Sequence, residues 1–117
     1  MKQISEFYSK VNGNTFISGG QDILRSLNSG DKLVLVREPE NKYDKNAIAI
    51  TTEDGRKIGF IPKDTAVGLS EQMDKGNTTE VSVSEVTGRD QKNVGCNIFV
   101  KVFGQEGTDM EPEESFM

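Results

Sequence analysis

Ala47-Ile48-Ala49-Ile50-Thr51-Thr52, followed by Glu53-Asp54-Gly55 and then Arg56-Lys57-Ile58-Gly59-Phe60-Ile61, is the stretch whose reading decides the fold. Two β-rich runs flank a three-residue breaker, and the Asp-Gly pair can supply the positive φ angles of a tight hairpin turn. Upstream, Lys32-Leu33-Val34-Leu35-Val36-Arg37 is another β-rich run, stopped by Glu38-Pro39 because proline cannot donate to a ladder. Downstream, Pro62-Lys63-Asp64 leads into a helix with Asp64 as N-cap, Val67 and Met73 among its buried side chains and Gly76 closing it. Gly68 weakens that helix.

The outer segments extend the pattern. Val11 to Ile17 alternates loosely as a strand and ends at Ser18-Gly19-Gly20, after which Ile23, Leu24 and Leu27 follow helical spacing. Gly19-Gly20 reads as a turn, with a phosphate cradle at the helix start as the alternative. Gly30 stands where a C-terminal cap glycine belongs. In Glu80 to Thr87, Val81 and Val83 share a face but Val86 has the wrong parity, which predicts a bulge near Glu85. In Asn97 to Phe103, Ile98, Val100 and Val102 line one face and Phe99, Lys101 and Phe103 the other. No internal repeat is visible. Six short strands and two short helices predict a mainly β fold, a small closed or nearly closed barrel rather than an open sheet. Closure removes exposed edges, and Ala47, Ala49 and the bare Gly59 suit a tightly curved wall.

Composition bounds the function. The chain has 117 residues, enough for one domain. Leu, Ile, Val and Phe make up 29 of them, above the level of about 20% under which a charged chain stays disordered. The absence of histidine removes the usual general base, the Ser-His-Asp and Cys-His pairs and the commonest zinc ligand. Cys96, the one cysteine, cannot close an intramolecular disulfide and reads as a buried small residue. No stretch resembles a signal peptide or a membrane span, so a reducing, cytoplasmic compartment is expected. The net charge of −5 is unevenly placed. Residues 104–117 hold Glu106, Asp109, Glu111, Glu113 and Glu114 without a base and are expected to form a mobile acidic tail. Residues 1–103, the expected domain, carry 14 basic and 14 acidic groups. A neutral body argues against coating duplex DNA by counterion release, and leaves room for recognition of a small feature by a few groups.

The densest chemistry lies in Leu35-Val36-Arg37-Glu38-Pro39-Glu40-Asn41-Lys42-Tyr43-Asp44-Lys45-Asn46-Ala47-Ile48 and in Gly55-Arg56-Lys57-Ile58-Gly59-Phe60-Ile61-Pro62-Lys63. Here the chain resembles the HIRAN domain family, whose signature runs Arg-Glu/Asp-Pro, then Asn-x-Tyr/His-Asp-x-Asn-Ala-Ile/Val, then a hairpin ending in Gly and a basic residue. The likeness is close over residues 33–63 and looser over 11–103. It implies an OB-like or SH3-like barrel that recognises the 3′ end of single-stranded DNA in repair or replication-fork processing. Members are fused to Swi/Snf-type translocases or stand alone as small bacterial or phage proteins, and this chain resembles the free-standing kind. By matching position the resemblance puts Asn41, Tyr43 and Asp44 at the terminal nucleotide and its hydroxyl, Lys63 at a backbone phosphate and Phe16 at a base. One position departs: Thr15 stands where an arginine can precede that aromatic, removing a cationic contact.

The residues' own chemistry agrees. Bases stack on aromatic rings for about 1–3 kcal/mol each whatever their identity, so Tyr43 with Phe16 can hold two bases without reading sequence. An ionised Asp44 only accepts hydrogen bonds, so it favours a hydroxyl donor and repels a phosphate. Arg37, Lys42, Lys45 or Lys63 can supply two or three phosphate contacts, which gives a salt slope of about −2. Each assignment has a structural competitor. Tyr43 can pack over the loop base, Asn41 and Asp44 can be Asx-turn residues, Phe16 can be core, and Lys63 can be a solvated charge. Asn46, at a strand start, reads as structural.

Three functions compete. The favoured one is a non-enzymatic module, without cofactor, membrane or metal, whose partner is single-stranded DNA, especially free 3′ ends. The alternative is a protein-interaction adaptor whose acidic tail docks on a DNA-processing protein. A metal-dependent nuclease using Asp44, Asp54 and Glu53 is disfavoured, because the turn claims Asp54 and no carboxylate pair has two-metal spacing. Counting from Asp44, Ala49 and Gly55 stand where a calcium loop needs glycine and glutamate.

Overall fold

The computed structural model describes residues 2–13 and 17–104. Six strands and two helices follow one another as β1 (Lys2–Lys10), α1 (Gly20–Ser26), β2 (Lys32–Arg37), β3 (Ile48–Thr52), β4 (Lys57–Phe60), α2 (Lys63–Asp74), β5 (Thr78–Thr87) and β6 (Gly95–Gly104). All pairings are antiparallel, in the order β1-β6-β5-β2-β3-β4. The two outer strands are brought together just beyond β1. There Asn12 N–H donates to the Phe60 carbonyl and Phe60 N–H to the Asn12 carbonyl, both at 2.8 Å. Val11 N–H still donates to the Cys96 carbonyl of β6, at 3.0 Å. The Val11-Asn12 step therefore passes from β6 to β4 and curls the sheet into a nearly closed barrel, joined at this one bridge.

Inside, Leu33, Leu35, Ile48, Ile50, Ile58, Val81, Val83, Ile98, Val100 and Val102 form one cluster. Leu24 and Leu27 cover it from the α1 side, and Ala66 and Leu69 from α2. The alternation in β6 follows the sequence: Ile98, Val100 and Val102 are buried, with Phe99, Lys101 and Phe103 on the opposite face. The ladder between β5 and β6 slips by one residue between Val83 and Glu85, the bulge that the parity of Val86 requires. In the β3–β4 turn only Gly55 has positive φ, +91°. Gly55 N–H donates to Thr52 O and Thr52 N–H to Arg56 O. The turn is thus a three-residue loop closed by a glycine bulge rather than a two-residue turn with both residues left-handed.

Several expectations are corrected. The first strand is Lys2–Lys10, not Val11 to Ile17: Val11 and Asn12 contribute only the closing bridge, and residues 14–16 lie outside the described residues. β1 escapes a hydrophobicity reading because Phe7 is its one side chain packed against the core. The N-cap of α2 is Pro62, with Asp64 in the first turn. Val67 is 57% exposed, and the buried stripe runs through Ala66, Leu69 and Ser70 with Met73 packed beside it. Gly30 has φ +92° but lies beyond the cap of α1, which is Leu27. The expected acidic tail falls outside the described residues from residue 105 onward. Among the described residues no helix is long and apolar enough to cross a membrane.

Gly59 makes the closure possible. A Cβ there would stand 2.3 Å from Val11 Cγ1 and 2.7 Å from the Asn12 carbonyl oxygen, and the second contact is backbone that cannot rotate away. Gly59→Ala is expected to destabilise the protein by about 2 kcal/mol or more, a fall of about 10 °C in thermal midpoint. Gly68→Ala, on α2 where a Cβ meets nothing within 4 Å, is expected to stabilise by about 0.5–1 kcal/mol. Thermal denaturation followed by circular dichroism tests the opposite signs. The Cys96 thiol is buried and desolvation pushes its pKa up to about 11. It is expected to stay unreactive towards a thiol reagent at pH 8 in the native protein and to react at once in denaturant.

Candidate nucleic-acid interface

Between β2 and β3 the chain makes a ten-residue connection that is tightly organised. Its base is closed by Glu38 N–H donating to Ala47 O, and its interior by Asn41 N–H to Glu38 O and Ala47 N–H to Asp44 O, each at 3.0 Å. The Asn41 side-chain oxygen accepts from Tyr43 N–H at 2.9 Å and Asp44 N–H at 3.1 Å. Its amide nitrogen donates to Glu38 Oε1 at 3.0 Å. Asp44 Oδ1 accepts from Asn46 N–H at 2.9 Å. Both acidic and amide residues thus make the Asx-type turns that compete with a ligand role. They do so unequally. The Asn41 oxygen is occupied twice, whereas Asp44 Oδ2 accepts no hydrogen bond among the described residues.

With the backbone held this way, the Tyr43 ring stands out, 85% exposed. It borders a hollow of about 500 Å³ that is also lined by Asn41, Asp44, Phe60 and Lys63, with Asn12 and Gly13 on the side of the closing bridge. Phe60 reaches it from the end of β4 and Lys63 from the first residue of α2. No side chain caps the start of α2, so its first N–H groups add to the positive character beside Lys63. Lys57 also lines the hollow, 5.0 Å from the centre of the Phe60 ring, but its ammonium is bound to Glu38 Oε2 at 2.6 Å. That contact holds the Glu38 carboxyl below its usual pKa. The Lys63 ammonium meets no carboxylate among the described residues, and the Lys42 ammonium lies 6.0 Å from the Tyr43 ring centre.

Four of the six residues expected at the site, Asn41, Tyr43, Asp44 and Lys63, therefore meet in one hollow. Phe16 lies outside the described residues. Arg37 is not brought into the hollow. Its guanidinium binds Asp74 through two bonds of 2.9 and 3.1 Å and donates to Ala47 O at 2.8 Å. The hydrogen bond with Asp74 raises the Arg37 pKa and lowers that of Asp74. With its side chain only 15% exposed, Arg37 ties the loop base to the end of α2 instead of presenting a free cation. The sequence reading missed Phe60, Glu38 and Asn12. Phe60 shares the strand parity of the buried Ile58 and so carries no local signal of its own, and the position of Asn12 depends on a long-range bridge that no local pattern announces.

Comparison with known proteins is consistent across sequence and structure. The HIRAN domain family model matches residues 4–103. The chain is 40% identical over 48 residues to the helicase-like transcription factor of Oryctolagus cuniculus, covering 41% of this chain and 5% of that protein. It is 38% identical over 61 residues to the Fanconi-associated nuclease 1 homolog of Arabidopsis thaliana, covering 51% of this chain and 7% of that one. The chain thus spans only a small part of these relatives. Among solved structures, the crystal structure of the HIRAN domain of human HLTF superposes with a TM-score of 0.73 at 24% identity, over 91% of this chain and 81% of that one. A protein from Lactobacillus plantarum gives 0.71 at 21% identity, over 88% and 96%. The NMR structure of the HLTF HIRAN domain in its DNA-bound conformation gives 0.65 at 24% identity, over 91% and 80%. With the family model running from the bulged edge strand to the end of the last strand, the chain belongs to the HIRAN domain family.

Proposed function

We propose that this protein is a nucleic-acid-binding module that captures single-stranded DNA by a free 3′ end, without catalysing a reaction, in the service of repair or fork processing. The observation that carries the reading is the exposed Tyr43 ring standing beside an Asp44 carboxylate with one oxygen uncommitted, on the wall of a single hollow. The HLTF HIRAN domain has a DNA-bound conformation, which supports nucleic acid as the class of ligand.

The division of labour follows from the geometry. Tyr43 and Phe60 offer aromatic surface to the last bases, a sequence-tolerant contact, and Phe16 is the further ring that the motif contributes. Asp44 Oδ2 accepts from a terminal hydroxyl and repels a terminal phosphate. Lys63, with the uncapped start of α2, receives a backbone phosphate. Asn41 and Arg37 are positioning residues: the one shapes the loop that carries Tyr43 and Asp44, the other anchors its base.

Fluorescence anisotropy with short oligonucleotides ending in a 3′ hydroxyl or a 3′ phosphate tests the reading. The hydroxyl form is expected to bind about tenfold or more tightly. Tyr43→Ala should weaken binding about tenfold. Asp44→Asn, which keeps an acceptor for Asn46 N–H, should narrow the difference between the two ends. Lys63→Gln should lower the salt slope by about 0.7. Equal affinity for both ends would remove end capture from the proposal.

A further inference from the structure

The outer face of the barrel carries a second aromatic feature. Tyr8 on β1 and Phe99 on β6 are directly paired across the ladder. Their ring centres are 4.8 Å apart and their planes are inclined by 41°. Tyr8 is 70% exposed although it lies in the middle of the pairing between β1 and β6. Neither ring serves the core, whose side of these strands is supplied by Phe7 and Val100. A ridge of two rings on the open face of a sheet is the surface on which bases stack.

Charge gives the ridge a direction. On one side of it lies the row Glu6, Lys101, Glu80, in which the lysine is flanked across the ladder by two carboxylates. On the other side is a shallow hollow of about 340 Å³ lined by Tyr8, Ser9, Lys10, Ser84 and Asn97, with no carboxylate in its wall. Glu85, the acidic residue of that row, stands beyond Asn97, two strands from Lys10. By strand alternation Tyr8, Lys10 and Asn12 point to the same side. Asn12 is also a wall of the hollow that holds Tyr43 and Asp44. The ridge and that hollow are thus joined along the chain, from Tyr8 and Lys10 of β1 to Asn12 in the closing bridge. At about 3.4 Å per residue the four steps from Tyr8 to Asn12 span no more than about 14 Å, the length of about four stacked nucleotides.

We infer that the Tyr8–Phe99 ridge with Lys10 is a second contact surface for single-stranded nucleic acid, taking the nucleotides upstream of the end held at Tyr43 and Asp44. This rests on the end-capture reading and extends it. Polar side chains and a cation, rather than acids, line the path between the two, which suits a phosphate backbone and opposes a basic peptide, while the exposed rings favour stacked bases over an acidic one.

The test uses 5′-labelled oligothymidylates of three and nine nucleotides, each with a 3′ hydroxyl. The nine-mer is expected to bind the wild-type chain about tenfold more tightly than the three-mer. Tyr8→Ala should remove most of that gain and leave the three-mer affinity unchanged within about twofold, while Tyr8→Phe keeps it. Lys10→Gln should lower the salt slope of the nine-mer alone, by about 0.7. The inference is overturned if Tyr8→Ala leaves nine-mer binding intact. It is equally overturned if that substitution weakens both lengths alike, or if it alters only self-association in sedimentation, which would make the ridge a contact between copies. Tyr43-dependent three-mer binding without a nine-mer gain would sink the ridge and leave end capture standing. Absence of binding at both lengths would remove the two together.

Discussion

The close approach of Val11-Asn12 to Gly59 is the contact on which both the barrel and its hollow depend. A side chain on Gly59 would collide with the backbone of Asn12, so the paired hydrogen bonds to Phe60 exist only because that position is bare. The same bridge places Asn12 and Gly13 opposite the connection between β2 and β3. Closure and candidate site are therefore one construction: opening the bridge would unpair Phe60 at the end of β4 and remove one wall of the hollow. This is the reverse of the usual arrangement in which a loop is added to a finished scaffold.

The opposite wall is rigid for a different reason. A ten-residue connection between strands would ordinarily be loose, but here local turns, the Glu38–Ala47 closure and the Lys57–Glu38 contact leave few polar atoms to wander. The cost of ordering Tyr43 and Asp44 is met on folding rather than on binding, which is what preorganisation means in free-energy terms. Arg37 belongs to this economy. By binding both Ala47 O and Asp74, it joins the loop base to the last turn of α2, while the first turn of α2 supplies Lys63. Loop and helix thus frame the hollow from two points.

What the sequence made legible, and what it hid, divides along the range of the forces involved. The β3–β4 hairpin, the end of β2 at Glu38-Pro39 and the slip near Glu85 were readable because turn chemistry and alternation act over a few residues. The face of α2 was misread at Val67 because its true stripe contains Ala66 and Ser70, small residues that give a weak periodic signal. β1 was missed because an edge strand with one outer face and one partly covered face needs little apolar alternation. In the site, Asn41, Tyr43, Asp44 and Lys63 were recognisable as residue types, but the choice between turn and ligand was not. The geometry places both residues in Asx-type turns, occupying the Asn41 oxygen twice and leaving one oxygen of Asp44 open. Phe60 and Arg37 went the other way, a strand ring given no site role that reaches the hollow and a cation offered for phosphate that is bound.

The charge distribution bears on how a site of the proposed kind would select rather than merely attract. The first 103 residues are balanced in charge, and among their cations Arg37, Arg56 and Lys57 are already paired with Asp74, Asp54 and Glu38. A long polyanion therefore meets no broad positive field, and counterion release can supply only a few contacts. In the proposed function, stacking and hydroxyl acceptance then carry a larger share of the discrimination, and both act at close range. A strongly basic surface would raise affinity for every stretch of nucleic acid and dilute preference for an end. On the proposed reading, neutrality of the body, with an acceptor-only carboxylate beside an exposed ring, is the electrostatic condition that would let a small hollow tell a terminus from the middle of a strand.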